Sequence, residues 1–150
     1  MAITELVVQS QLLPPRRRRG ILCRLRLDDR LAAVLEYPVT VVHVGTGYGK
    51  STALATLTDM VDHLASYSII EPDRDPLLFL AHLVCAFERQ EPAWCQPAIQ
   101  ALEESGGRVT TGALAPFPNA LTRGMNDEAV LALDDYQLHS ERSTVNPRPM

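Results

Sequence analysis

A chain of 150 residues is long enough for one domain with a sizeable core and too short for two comfortable ones. Apolar residues make up 46% and charged residues 21%, the ordinary balance of a soluble globular protein. A net charge of −4 and a pI near 5.5 give no global reason to expect nucleic-acid binding.

The N-terminal stretch 1–20 carries "LLPPRRRRG", whose prolines exclude a regular helix or a central strand, so an extended basic surface segment is expected there. Its arginine run reads as a solvated charge block, with a nucleic-acid patch as the rival. "LDDRLAAVLEY" predicts a short helix with Leu27, Leu31, Val34 and Leu35 on one side. Pro38 ends it, and Val39–Val44 is a β-branched run of the kind found in buried parallel strands. Lys50–Leu64, with Leu54, Leu57, Val61 and Leu64 on one face, predicts an amphipathic helix.

"SYSII" predicts a second strand, followed by the acidic turn "EPDRDP". Asp75 and Pro76 then read as the N-cap and first residue of a largely apolar, buried helix, about Pro76–Arg89. From Gln90 to Gly124, prolines and Gly106-Gly107 allow only short helices, around Ala98–Glu104 and Asn119–Arg123. Ala129–Leu133, "AVLAL", is a further apolar strand ending on Asp134-Asp135, and 140–150 reads as a disordered tail. Strands alternating with helices predict an α/β fold with a parallel sheet.

The longest apolar run, Leu77–Phe87, contains His82 and is far short of a membrane span. No basic start followed by an apolar core marks a signal peptide, so a cytoplasmic protein without a membrane partner is expected. Cys23, Cys85 and Cys95 are an odd count without CxxC spacing, which fits reduced thiols used as core fillers.

The chemistry-bearing stretch is "VGTGYGKST", Val44–Thr52, between the β-branched run and the first long helix. Backbone N–H groups at a helix start have no intrahelical partners and converge on an anion. Gly45, Gly47 and Gly49, interleaved with Thr46 and Tyr48, let the main chain approach phosphates closely. Lys50 can reach the outer phosphates, the Ser51 hydroxyl can bind Mg²⁺, and Thr52 continues the helix start. The match to Gly-x4-Gly-Lys-[Ser/Thr] is imperfect, because Val44 stands where the first glycine belongs. A plain turn is one rival. A dinucleotide fingerprint, using Gly45, Gly47 and a ribose-binding Glu71, is another, but Lys50 occupies its third glycine.

"AVLALDDYQLH" favours the phosphate loop. A buried strand delivers Asp134 at its carboxyl end, where it can hold a Mg²⁺ shell, and Asp135 can orient the attacking water. The plainer reading is that both carboxylates only cap a strand.

These stretches together, with "LLPPRRRRGILCRLRLDDRL" and "EPDRDPLLFLAHLVCAF", resemble the N-terminal nucleotide-binding domain of the MalT-like, LuxR-type regulators within the STAND class of signal-transducing ATPases, from about Leu12 to His139. The resemblance implies a P-loop NTPase-like domain over 21–139, with ATP or ADP and Mg²⁺ as ligands and a switching role in a transcriptional regulator. It also implies an approach of the Ile21–Arg24 stretch to the adenine, and DNA contact only through a downstream helix-turn-helix module absent from this chain. Against the family, the chain is expected to be an incomplete copy, lacking the later strands and the strand that would separate the loop strand from "LALDD". Little or no ATP hydrolysis and an open question of self-association follow from that expectation. A P-loop small-molecule kinase and a vestigial fragment without nucleotide are the alternatives.

Overall fold

The computed structural model describes residues 2–14, 29, 31–37, 50–124 and 128–134. Their architecture is α/β, built on a parallel pair of strands, β1 (His63–Ser68) and β2 (Ala129–Asp134), in register from His63 opposite Ala129 to Ser68 opposite Asp134. Five helices accompany them among the described residues: α1 (Lys50–Met60), α2 (Pro76–Glu88), α3 (Gln96–Glu104), α4 (Thr111–Leu114) and α5 (Pro116–Gly124).

Because strand side chains alternate, the pair has two distinct faces. Ala65 and Tyr67, with Ala129, Leu131 and Leu133 beside them, belong to a large core with Val84, Phe87, Trp94, Ile99 and Leu102. Leu64, Val130 and Ala132 lie on the other face and meet Leu54, Leu57 and Val61. Helix α1 therefore covers one face, and α2, α3 and the N-terminal segment cover the other. Strands covered on both sides in this way read as apolar runs, as "AVLAL" does, and β1 is buried from Leu64 to Tyr67 while β2 is half-buried except at Ala132.

Helix α2 starts as its sequence requires. Asp75 Oδ1 accepts from the Leu77 N–H at 2.8 Å and the Leu78 N–H at 3.3 Å, and Pro76 takes the first helical position. Ala81, Val84, Cys85, Ala86 and Phe87 are buried along it, as the apolar composition predicts. Helix α3 buries Ala98, Ile99 and Leu102 and stops at glycines in the left-handed region, Gly106 at φ 64° and Gly107 at φ 79°. Gly124 ends α5 with its backbone against Trp94, whose Nε1–H donates to the Gly124 carbonyl at 2.9 Å. A Cβ there would lie 2.7 Å from Trp94 Cδ1, so only glycine permits the approach.

Several expectations change. The helix expected over Lys50–Leu64 ends at Met60, and β1 begins at His63 rather than at Ser66. Thr58, Asp59, Val61, Asp62 and His63 are weak helix formers, and the Thr58 hydroxyl bonds back to the Leu54 carbonyl at 3.0 Å. Leu64 still meets Leu57, because the chain reverses and brings it to the same cluster from a strand.

The N-terminal stretch is not a surface segment throughout. Ile3–Leu6 and Gln9–Leu12 form two 3-10 turns, and Ile3, Val7 and Leu12 are buried in the large core. Helix α4 occupies a stretch for which no element is expected; the Thr110 hydroxyl caps it, accepting from the Ala113 N–H at 3.2 Å. The short helix expected over "LDDRLAAVLEY" is helical at 29 and 31–32 and tightens into a 3-10 turn at Ala33–Glu36, with Leu31 buried and Leu35 exposed. The Val39–Val44 strand and the 140–150 tail lie outside the described residues.

Candidate functional site

The predicted site residues fall into two groups. Gly45, Thr46, Gly47, Tyr48, Gly49 and Asp135 lie outside the described residues, as does Arg24. Lys50, Ser51 and Thr52 form the first turn of α1, and Asp134 is the last residue of β2. In open α/β sheets, ligands bind beyond the carboxyl ends of the strands, and Asp134 stands at that end.

The pleat puts Asp134 on the same face as Val130 and Ala132, the face that Leu54 and Leu57 of α1 cover. The Asp134 carbonyl accepts from the Ile69 N–H at 3.0 Å, so the ladder carries on one residue past β1 and holds the strand ends level. Among the described residues, no group of three or more His, Cys, Asp or Glu is arranged to hold a metal. The expected metal contacts, Ser51 and Asp134, are only two residues, and such a shell would be expected to draw the rest from phosphate and water.

Directly past the carboxyl end of β1 lies a buried polar cluster that sequence reasoning missed. Gln11 Nε2 donates to the Ser68 carbonyl at 3.1 Å and to Asp73 Oδ2 at 2.8 Å. The same carboxylate oxygen accepts from the Ile70 N–H at 2.9 Å, closing the 3-10 turn Glu71–Arg74. Asp73 Oδ1 is 3.5 Å from His82 Nδ1, and both side chains are almost fully buried. The His82 ring stacks on Tyr67 at 5.3 Å. Burial, and then the Asp73 carboxylate, push the Tyr67 phenol above its ordinary value, so it stays protonated. The pairing of Gln11 with residues about sixty positions away leaves no local sequence signature; two nearby turn carboxylates, Asp73 and Asp75, are the only hint.

The cysteines behave as core fillers. Burial, and then Glu88, push the Cys85 thiol up to about 11; burial, then Glu88 and Cys85, push the Cys95 thiol up to about 12. A cavity of about 370 Å³, lined by Ala93, Pro97, Asn119, Ala120 and Arg123, lies near Trp94, which packs on His63 at the opposite, amino end of β1. It is remote from Asp134.

Comparison with known proteins decides the ancestry. The chain is 28% identical over 133 residues to the HTH-type transcriptional regulator MalT of Serratia proteamaculans (strain 568), a match covering 89% of this chain and 15% of the relative. The MalT proteins of Yersinia enterocolitica and Yersinia pestis (strain Pestoides F) match over the same shares at 27% and 26%. The chain is a homologue of the MalT-type regulators. The resemblance carried by "GYGKST" and "LALDDYQLH" is thereby borne out, and the matched region is the N-terminal part of MalT. This MalT-like chain spans 15% of the length of these curated relatives. No family model matches it, and no solved structure does. No helix among the described residues is long and apolar enough to cross a membrane.

Proposed function

We propose that this chain is a nucleotide-binding switch module of a MalT-like, STAND-type transcriptional regulator. The observation that carries the reading is the shared sheet face of α1 and Asp134. A helix that starts at Lys50, ends two residues before β1 and packs Leu54 and Leu57 on that strand's face has to run back along it. Its first turn then aims at the carboxyl end, where Asp134 stands. The loop sequence Gly45–Gly49 immediately precedes that turn.

In this reading backbone N–H groups of the loop and helix start would bind the phosphates of ATP or ADP. Lys50 adds a point charge on the outer phosphates, a charge-assisted contact worth about 1.5–3 kcal/mol. Ser51 and Asp134 would hold Mg²⁺, which when bound supplies charge neutralisation at the phosphates. Asp135 would orient a water. The helix-turn-helix in the relatives' name is assigned to no part of this chain, so DNA contact is proposed to belong to other parts of such a regulator, working in the cytoplasm.

Equilibrium binding of a fluorescent ATP analogue to the wild type and to Lys50→Ala tests the assignment. The variant is expected to bind about 10- to 100-fold more weakly with an unchanged melting temperature without nucleotide. Equal affinities would remove the phosphate loop.

A further inference from the structure

Residues 2–14 are fastened to the domain by polar contacts, two of which end on the His82–Asp73 pair. The Val8 N–H donates to His82 Nε2 at 3.0 Å, while Nδ1 lies 2.7 Å from the Leu78 carbonyl and 3.5 Å from Asp73 Oδ1. A ring that accepts at Nε2 is neutral and carries its one proton on Nδ1. Asp73 in turn takes the Gln11 amide at 2.8 Å. Further out, the Ile3 N–H donates to Glu103 Oε1 at 2.9 Å and Arg89 Nη1 donates to Gln9 Oε1 at 3.2 Å.

We propose that this N-terminal segment is a proton-released strap: it docks on neutral His82 and detaches when the ring takes a second proton. That proton arrives at Nε2 and points at the Val8 N–H, so a donor faces a donor and a backbone N–H loses its partner. Detachment also withdraws the Gln11 amide from Asp73, leaving a buried carboxylate with the Ile70 N–H and the ring. An imidazolium then compensates that carboxylate. One proton therefore opposes the docked form and favours the detached one.

Among the described residues, few titratable groups face the ring. Asp73 faces it from the 71–74 turn and neutral Tyr67 from β1. In the same turn Arg74 and Glu71 pair with each other at 3.8 Å, and the strap's own acid, Glu5, is exposed. The docked form is also imperfect, because Gln11 Oε1 is buried without a hydrogen-bond partner among the described residues. Such an unmet group lowers the cost of release. Since Gln11 also donates to the Ser68 carbonyl, release would uncover the carboxyl end of β1, level with Asp134. The proposal stands whether or not nucleotide binds there.

Nuclear magnetic resonance on the 150-residue chain, from pH 8 to pH 5, reads both partners. At pH 8 the His82 nitrogens should show the neutral form protonated at Nδ1. As His82 titrates, opening at the Val8 amide, corrected for intrinsic exchange, should rise by up to about tenfold per pH unit, the limit for one linked proton. Leu102 amide protection should not change. His82→Gln, which does not titrate, should abolish the pH dependence; if it fails to fold, coincident midpoints for His82 and Val8 in the wild type decide. Ring protonation at Nε2 at pH 8, flat Val8 protection through the titration, an unchanged slope in the variant, or equal loss of protection in α3 would each overturn the proposal.

Discussion

The two faces of the strand pair differ in how they are held. On one, Ala65 and Tyr67 meet Leu131 and Leu133 inside a core that runs through α2 and α3 to the N-terminal turns. On the other, the described residues supply three buried apolar side chains, Leu57, Leu64 and Ala132. The first face has the packing to set the positions of β1 and β2; the second carries the first turn of α1 and Asp134. The large described core and the proposed chemistry thus lie on opposite sides of the same strands.

The largest expected effect tests the heavy side. Leu102→Ala should cost about 2–5 kcal/mol of unfolding free energy, because its buried side chain packs inside the large core. Urea unfolding measures this, and a cost well below about 1 kcal/mol would contradict that packing. Alkaline pH probes the same side. The unfolded thiols ionise near 9.0, while Cys85 and Cys95 hold their protons to about 11 and about 12. Between those limits the folded state binds more protons, so stability should fall as pH rises above about 9. Cys85→Ala/Cys95→Ala should flatten that decline in thermal melts, and an unaltered slope would assign it to other groups. The smallest effect is local: Asp75→Ala, which removes the cap of α2, should cost about 1 kcal/mol in urea unfolding. A change within error would mean that water replaces the carboxylate fully.

What the sequence made legible follows from how local each signal is. Asp75-Pro76 states a helix start in two adjacent residues, and α2 begins there. "AVLAL" states an apolar strand, and β2 occupies those positions and Asp134. The end of α1 was not legible, since Val61 and Leu64 fit a helical face as well as a turn followed by a strand packed on it. Ile69 and Ile70 drew the expected strand too far downstream; Ile69 is buried just past β1, and Ile70 is exposed. The burial of Ile3 and Leu12 and the Gln11–Asp73–His82 cluster depend on contacts between distant parts of the chain, which periodicity does not encode. Of the candidate site, the sequence named Lys50 and Asp134, and the fold adds that α1 and Asp134 share a face.

The central claim is that the sheet face covered by α1 binds a nucleotide with its metal, and Asp134 is its most direct probe. Titrating ATP into the wild type and Asp134→Asn, each with and without Mg²⁺, separates a metal role from a structural one. The account predicts a loss of affinity in the variant that is clearly larger with Mg²⁺ than without, because the removed charge acts through the ion. An equal loss in both conditions, or no wild-type binding in either, would contradict it.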